Sequence, residues 1–362
     1  MSFDDLPEQA EAKRLLRAAL AESPAHAYLL HGPPGVGKRR AARAFAAELL
    51  GDRARVEHGT HPDLYLLEPL GEMIRIDEIR QLRHDLHMRP YEAKHRVYVI
   101  EGAQLLNDDA ADALLKDLEE PPSYAVILLV ADELGPLSAT IRSRCQLVPF
   151  RRLSERSVRE YLAERAPGLG EAERTALARV AAGRLDRAER LLDPESAGRR
   201  TELLRVARGP YADSEFEPSD AAATLLEGAR ARGATAKDRA EATLEGVDLT
   251  ARDAEQRVKR AQRGAEREEL LASLEELASW YRDLVVVAVG AESAVVHADR
   301  LEVLREDASR ERGLDAEVAA ETVRAAWRSL EEFNLSPALA LEALFVRLRR
   351  AFSGSFFVSG RN

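Results

Sequence analysis

The sequence predicts an α/β domain with a parallel sheet around a phosphate-binding loop, followed by a region that is helical throughout. Three observations carry this. Short apolar runs alternate with stretches of helical periodicity over residues 1–152. The loop His31-Gly-Pro-Pro-Gly-Val-Gly-Lys38 stands between one such run and a helix. From Ser154 onward no segment has a convincing strand pattern.

Residues 8–22 put Leu15, Leu16, Ala19 and Leu20 on one helical face, and Ser23-Pro24 ends that helix. Ala27–His31 is a short apolar run and reads as a buried strand. The glycine loop follows, then a helix over Arg39–Leu50. Leu64–Leu67 is a second strand and Ile76–Met88 a helix that stops near Pro90. Arg96–Ile100 is continuously apolar after its first residue, as a strand covered on both faces of a parallel sheet would be. Asn107–Glu119 is helical and is ended by Pro121-Pro122. Ala125–Val130 and Gln146–Pro149 complete the strand set, and the alternation implies right-handed crossovers.

Residues 154–195 read as three short helices, and Pro210 and Pro218 mark a looser connection. There is no proline from 219 to 336 and no aromatic between Phe216 and Trp280, so 221–285 reads as long helix. Charges of both signs are interspersed over 228–268, the pattern of a solvated arm rather than of a nucleic-acid contact. Residues 269–352 look like a helical bundle, with a turn and N-cap at Asn334-Leu-Ser-Pro337. Three domains are expected: 1–152, 153–208 and 209–362.

Composition narrows the function classes. With 362 residues and a formal net charge of −10, bulk attraction to nucleic acid or to an anionic membrane is not predicted. Cys145 is the single cysteine, so no disulfide framework can form, which fits a reducing cytoplasm. Met1-Ser-Phe-Asp-Asp-Leu-Pro7 has no signal-peptide pattern, and no apolar run reaches the ~18 residues needed to span a bilayer.

The loop carries the first candidate site. Gly32, Gly35 and Gly37 would let backbone N–H groups converge on phosphate oxygens, and Lys38 would reach the terminal phosphates. The next position needs Ser or Thr to hold Mg²⁺, and it is Arg39. A working ATPase also places Asp, often Asp-Glu, at the end of a later strand. Here that strand ends in Glu101-Gly102. Two catalytic positions are altered in the same direction, which points to an inactive ATPase site.

A second candidate is Ser143-Arg144-Cys145, which follows the fourth strand. Taken with the loop, it resembles the Ser-Arg-Cys motif of clamp-loader ATPase subunits. Thr60-His-Pro-Asp63, Ile76-Asp-Glu-Ile-Arg-Gln-Leu82 and Leu114-Leu-Lys-Asp-Leu-Glu-Glu-Pro-Pro122 occur in the family's order. The chain is therefore similar to the delta-prime family of the bacterial DNA polymerase III clamp loader, within the AAA+ class, well over residues 1–195 and in outline beyond.

The resemblance implies an AAA+ α/β domain, a helical lid and an all-α collar. It implies a hetero-pentamer with gamma/tau and delta subunits, acting on a sliding clamp and primer-template DNA, with no membrane. Arg144, with Ser143, would act in trans on a neighbour's ATP. Arg187, after Gly183, would be the lid arginine facing this chain's own nucleotide, and Gln9 would flank the adenine pocket. Ala131 stands where the family has a polar sensor. ATP or ADP could be bound without hydrolysis. The family's four-cysteine zinc module is missing from the short segment Leu50–Thr60, and His58 and His61 alone make a weak zinc case. Two rival readings are a self-sufficient gamma/tau-like ATPase and a scaffold without a trans-acting arginine.

Overall fold

Five apolar runs become five parallel strands, β1 Ala27–His31, β2 Leu64–Leu67, β3 Arg96–Glu101, β4 Ala125–Ala131 and β5 Gln146–Pro149. Their order across the sheet is β2-β3-β4-β1-β5, and every pairing is parallel. The computed structural model describes residues 3–69, 73–244, 251–332 and 336–353. It divides into two compact units, Met1–Tyr161 with Gly183–Asp186, and Leu162–Ala182 with Arg187–Asn362.

In the first unit, β3 and β4 are buried along their whole length. This is the reason they read as unbroken apolar runs rather than alternating ones. Register places Leu29 of β1 beside Leu129 of β4 on one side and Leu147 of β5 on the other. One sheet face packs Tyr28, Leu30, Val97, Val99 and Leu128 against α1 (Ala10–Ala21) and α2 (Lys38–Leu50), with Phe45 edge-on to Tyr28 at 5.2 Å. The other packs Leu29, Tyr98, Ile100, Ile127 and Leu129 against α4 (Ile76–Leu86) and α5 (Asp108–Glu119). A short α3 (Arg53–Glu57) lies between, capped by Asp52, whose side chain accepts from Arg55 N. A six-residue α6 (Ala139–Arg144) precedes β5 and is capped by Ser138. Helix α7 (Glu155–Arg165) follows β5.

The second unit is entirely helical among its described residues. It comprises α8 (Glu171–Ala181), α9 (Leu185–Leu192, from Arg187 on), α10 (Pro194–Ala212), α11 (Pro218–Leu244), α12 (Ala251–Ala288), α13 (Leu301–Asp307), α14 (Arg310–Glu332) and α15 (Pro337–Ser353). Its core gathers Leu274, Leu277, Trp280, Tyr281 and Leu284 of α12 with Val323 of α14 and Leu344, Phe345 and Leu348 of α15.

Two expectations are corrected here. The long helix over 221–285 is two helices, α11 and α12, packed side by side. Pro210 lies inside α10, close to its C-terminal end, rather than in a loose connection. Pro218 is the first residue of α11, where its missing N–H is no loss. The expected turn at Asn334-Leu335 lies outside the described residues. Among the described residues, no helix is long and apolar enough to cross a membrane.

Candidate functional site: a phosphate loop closed by its own side chains

The loop runs from the end of β1 into the first turn of α2, where converging backbone N–H groups and the helix dipole favour an anion. Gly32 has φ 141°, and a Cβ there would meet Phe150 O at 2.2 Å. Gly35 has φ 72°, and a Cβ would meet the Asp186 carboxylate at 1.9 Å. Gly37 caps α2 in the left-handed region. The backbone is thus shaped as a phosphate cradle, and only glycine suits these positions.

The side chains around the cradle are already committed to one another. Lys38 is buried, and its Nζ donates to Gly32 O at 2.6 Å and to Pro33 O at 2.5 Å. The same ammonium is 2.8 Å from Asp132 Oδ1. Burial pulls the Lys38 pKa below its ordinary value, opposed by Asp132. Arg39 Nε lies 3.0 Å from Glu101 Oε2, and Arg43 Nη2 lies 3.3 Å from the other oxygen. Glu101 is buried, and burial pushes its carboxyl up while the two guanidinium groups oppose the shift. The residue in the metal-holding position is therefore joined directly to the strand-end carboxylate. A guanidinium has no oxygen to offer and repels a divalent cation, so this donor set does not fit Mg²⁺.

The turn after Gly183 reaches the loop. Leu185 N donates to Gly35 O at 2.7 Å, and Asp186 lies over Gly35 while pairing with Arg184 at 2.7 Å. Arg184, Leu185, Asp186 and Asp132 escaped sequence reasoning. Asp132 could have been found as the first polar residue after β4, whereas the docked turn depends on a fold that brings 183–186 back.

Other predicted site residues have definite places. Gln9 does not hold its amide free. Its Nε2 donates to Arg151 O at 2.7 Å and its Oε1 accepts from Arg151 N at 3.1 Å, so it ties the start of α1 to the exit of β5. Arg187 belongs to the helical unit, where its guanidinium binds Glu276. Glu276 also receives Arg200 Nε at 2.6 Å and faces His297 Nε2 at 3.1 Å. Ala131 is buried at the end of β4. His58 Nδ1 is 2.7 Å from Ala54 O, and His61 Nδ1 accepts from Asp63 N at 3.1 Å.

The Ser-Arg-Cys segment closes α6. Arg144 Nη1 donates to Thr140 O at 3.0 Å, and Nη2 pairs with Glu119 at the end of α5. Ser143 is exposed and its Oγ donates to Thr140 O at 3.0 Å. Cys145 is buried, which pushes its thiol up to about 12 and makes it a packing residue rather than a nucleophile.

Residues 8–154 match the family model described as DNA polymerase III, delta subunit. DNA polymerase III subunit delta' of Pseudomonas aeruginosa is 40% identical over 136 residues, which are 33% of this chain and 42% of that protein. Subunit delta' of Bacillus subtilis is 34% identical over 151 residues, 38% of this chain and 46% of that protein. Subunit tau of the same species is 31% identical over 170 residues, 43% of this chain and 30% of that protein. The matches span less than half the length of these relatives. A solved gamma-subunit-related protein of Thermotoga maritima aligns with TM-score 0.47 and 17% identity, over 94% of this chain and 99% of that one. Over residues 8–154 the chain thus resembles the delta-prime subunits of DNA polymerase III, the family to which its loop, its Leu-Glu-Glu-Pro-Pro run and its Ser-Arg-Cys motif point.

Proposed function

We propose that this chain is a clamp-loader subunit of the delta-prime kind, inactive as an ATPase, which lends Arg144 to the ATP site of a neighbouring gamma/tau subunit. In this reading it takes its place with gamma/tau and delta in a hetero-pentameric ring that sets a sliding clamp on primer-template DNA in the cytoplasm. A helical lid over 153–208 and a collar over 209–362 hold it there.

The observation that carries the reading is the Arg39–Glu101 ion pair. It removes the metal position and the strand-end carboxylate together, so no hydrolytic step is derived through this chain's own loop. The cradle's glycines are compatible with ATP or ADP held without turnover, in competition with the Lys38 contacts to Gly32 O and Pro33 O. Arg144 ends a surface helix, and a guanidinium so placed can stabilise charge on a phosphoryl group bound by an adjacent subunit.

Two measurements test this. The purified chain should show no magnesium-dependent ATP turnover above background, and robust turnover would overturn the inactive-site reading. In a complex reconstituted with gamma/tau and delta, Arg144→Ala should leave assembly intact by gel filtration. It should lower the clamp-stimulated ATPase of the site it serves by about 10³-fold. A wild-type rate with R144A would leave the chain as a scaffold only.

A further inference from the structure

The apolar core of the helical unit takes residues up to Leu226 from α11 and from Leu270 onward from α12. Between those points the two helices continue as an arm, packed on each other. Gly233 allows the close approach, because a Cβ there would lie 2.4 Å from Glu266 Cγ. Lys237, Glu241 and Leu244 of α11 share a groove with Glu255, Val258 and Gln262 of α12. These contacts fix which side of α12 faces α11. On that side Lys259 Nζ pairs with Glu255 at 2.5 Å and Gln262 Nε2 donates to Glu266 at 2.9 Å.

At about 100° per residue, Arg257 and Arg260 fall on the other side of α12 and Arg263 on the flank that adjoins them. Arg257 and Arg263 are exposed, and Arg260 is half-buried with an Nε that has no hydrogen-bond partner. None of the three makes an ion pair with a carboxylate of the described residues. Between Glu255 and Glu266 the charges are therefore sorted in space, with the two carboxylates toward α11 and the three guanidinium groups turned from it. From Gln256 to Ala265 the chain carries Arg257, Lys259, Arg260 and Arg263 and no acidic residue, within a protein of net charge −10.

We propose that this face of α12 binds the phosphodiester backbone of nucleic acid, without reading its sequence. Guanidinium groups that rise about 4.5 Å apart along a helix can engage neighbouring phosphates through forked hydrogen bonds. A protein partner would need apolar anchors at the centre of its footprint. Among the described residues, no large apolar side chain is exposed on the arm between 229 and 268. Charge alone suffices for phosphate.

The test uses the full chain and a short labelled DNA duplex of arbitrary sequence, followed by fluorescence anisotropy. Three phosphate contacts predict a log–log salt slope of about −2.7, or about 40-fold weaker binding between roughly 50 and 200 mM salt. The variant R257Q/R260Q/R263Q should bind roughly tenfold or more weakly at the lower salt and lose most of the slope. A control, R324Q/R347Q/R350Q, should keep both, and circular dichroism should show all three proteins equally helical. The proposal is overturned if the wild type does not bind at the lower salt, or if the arm variant keeps wild-type affinity and slope. It is also overturned if polyglutamate binds as tightly as the duplex through the same arginines, which would assign the face to an acidic protein.

Discussion

Arg144 ends a helix of six residues with its guanidinium already engaged, by Thr140 O on one edge and by Glu119 on the other. The pair is partly exposed, so it is worth up to ~1 kcal/mol, or about fivefold in the population of a released arginine. On the proposed role of Arg144, Glu119→Gln should raise the clamp-independent ATPase of a reconstituted complex by up to about fivefold. The stimulated rate should hardly move. Unchanged rates in both states would mean that the pair does not restrain the arginine. Asp63 shows a different residue-scale effect. Its carboxylate accepts backbone N–H groups from Tyr91, Glu92 and Ala93 at 2.6, 3.0 and 2.9 Å. Burial would raise its pKa, and these three bonds outweigh that and lower it. Asp63→Ala should cost about 1 kcal/mol or more by removing the acceptor of three partly buried backbone donors, read as a lower urea midpoint with an unchanged slope. The sequence displayed Thr60-His-Pro-Asp63 as a motif but not this role, because its partners lie about thirty residues further along the chain.

At the scale of elements, β1, β2 and β5 fall where their apolar runs place them, and β3 and β4 each gain one residue. Full burial on both faces makes such strands legible without any alternation. The helical half was less legible. Nothing in the local pattern of 221–285 separates one long helix from two, since both bury a stripe of the same period. α11 ends at Leu244 and α12 begins at Ala251. Pro210 misled because a helix can continue past a proline that removes only its own N–H bond to the residue four back. Gly209, beside it, has a tertiary reason: a Cβ would lie 2.4 Å from the ring of Phe216, which packs on Phe345 at 6.1 Å. Gly209→Ala should gain up to about 1 kcal/mol in helix propensity and lose about 1–3 kcal/mol to overpacking. A lower thermal midpoint is therefore expected, and a higher one would show that the ring moves aside freely.

For the molecule as a whole, both units set buried charge beside an apolar core. The sheet unit is apolar on both faces. The helical unit includes a buried ionic network in which Asp283 and Glu276 bind the two ring nitrogens of His297 at 2.8 and 3.1 Å. Arg187 and Arg200 approach Glu276, and Asp299 takes Arg200 at 2.7 Å. Burial alone would lower the His297 pKa, but the two carboxylates outweigh it and raise it above 6.5. Its stabilisation is complete below the unfolded value and is lost as pH rises through the raised folded value. Glu276 acts from the other side. Burial is outweighed by Arg187, His297 and Arg200, its pKa is lowered, and its share is lost as pH falls from the ordinary 4.5 toward the folded value. Thermal unfolding followed by tryptophan fluorescence, to which Trp280, edge-on to His297 at 5.5 Å, contributes, should show a midpoint that falls as pH rises above 6.5. His297→Gln should flatten that fall, and an undiminished slope would place the titration elsewhere. The sequence offered His297 no special standing, because its partners come from other parts of the helical unit.

The Arg39–Glu101 pair also bears on how the chain answers to its surroundings. A cation tethered by a covalent side chain cannot be titrated away, diluted or exchanged, whereas a bound magnesium ion follows its free concentration. Chelators should leave the melting curve of this chain unmoved. Swings in free magnesium should not alter the spacing of β3 and α2.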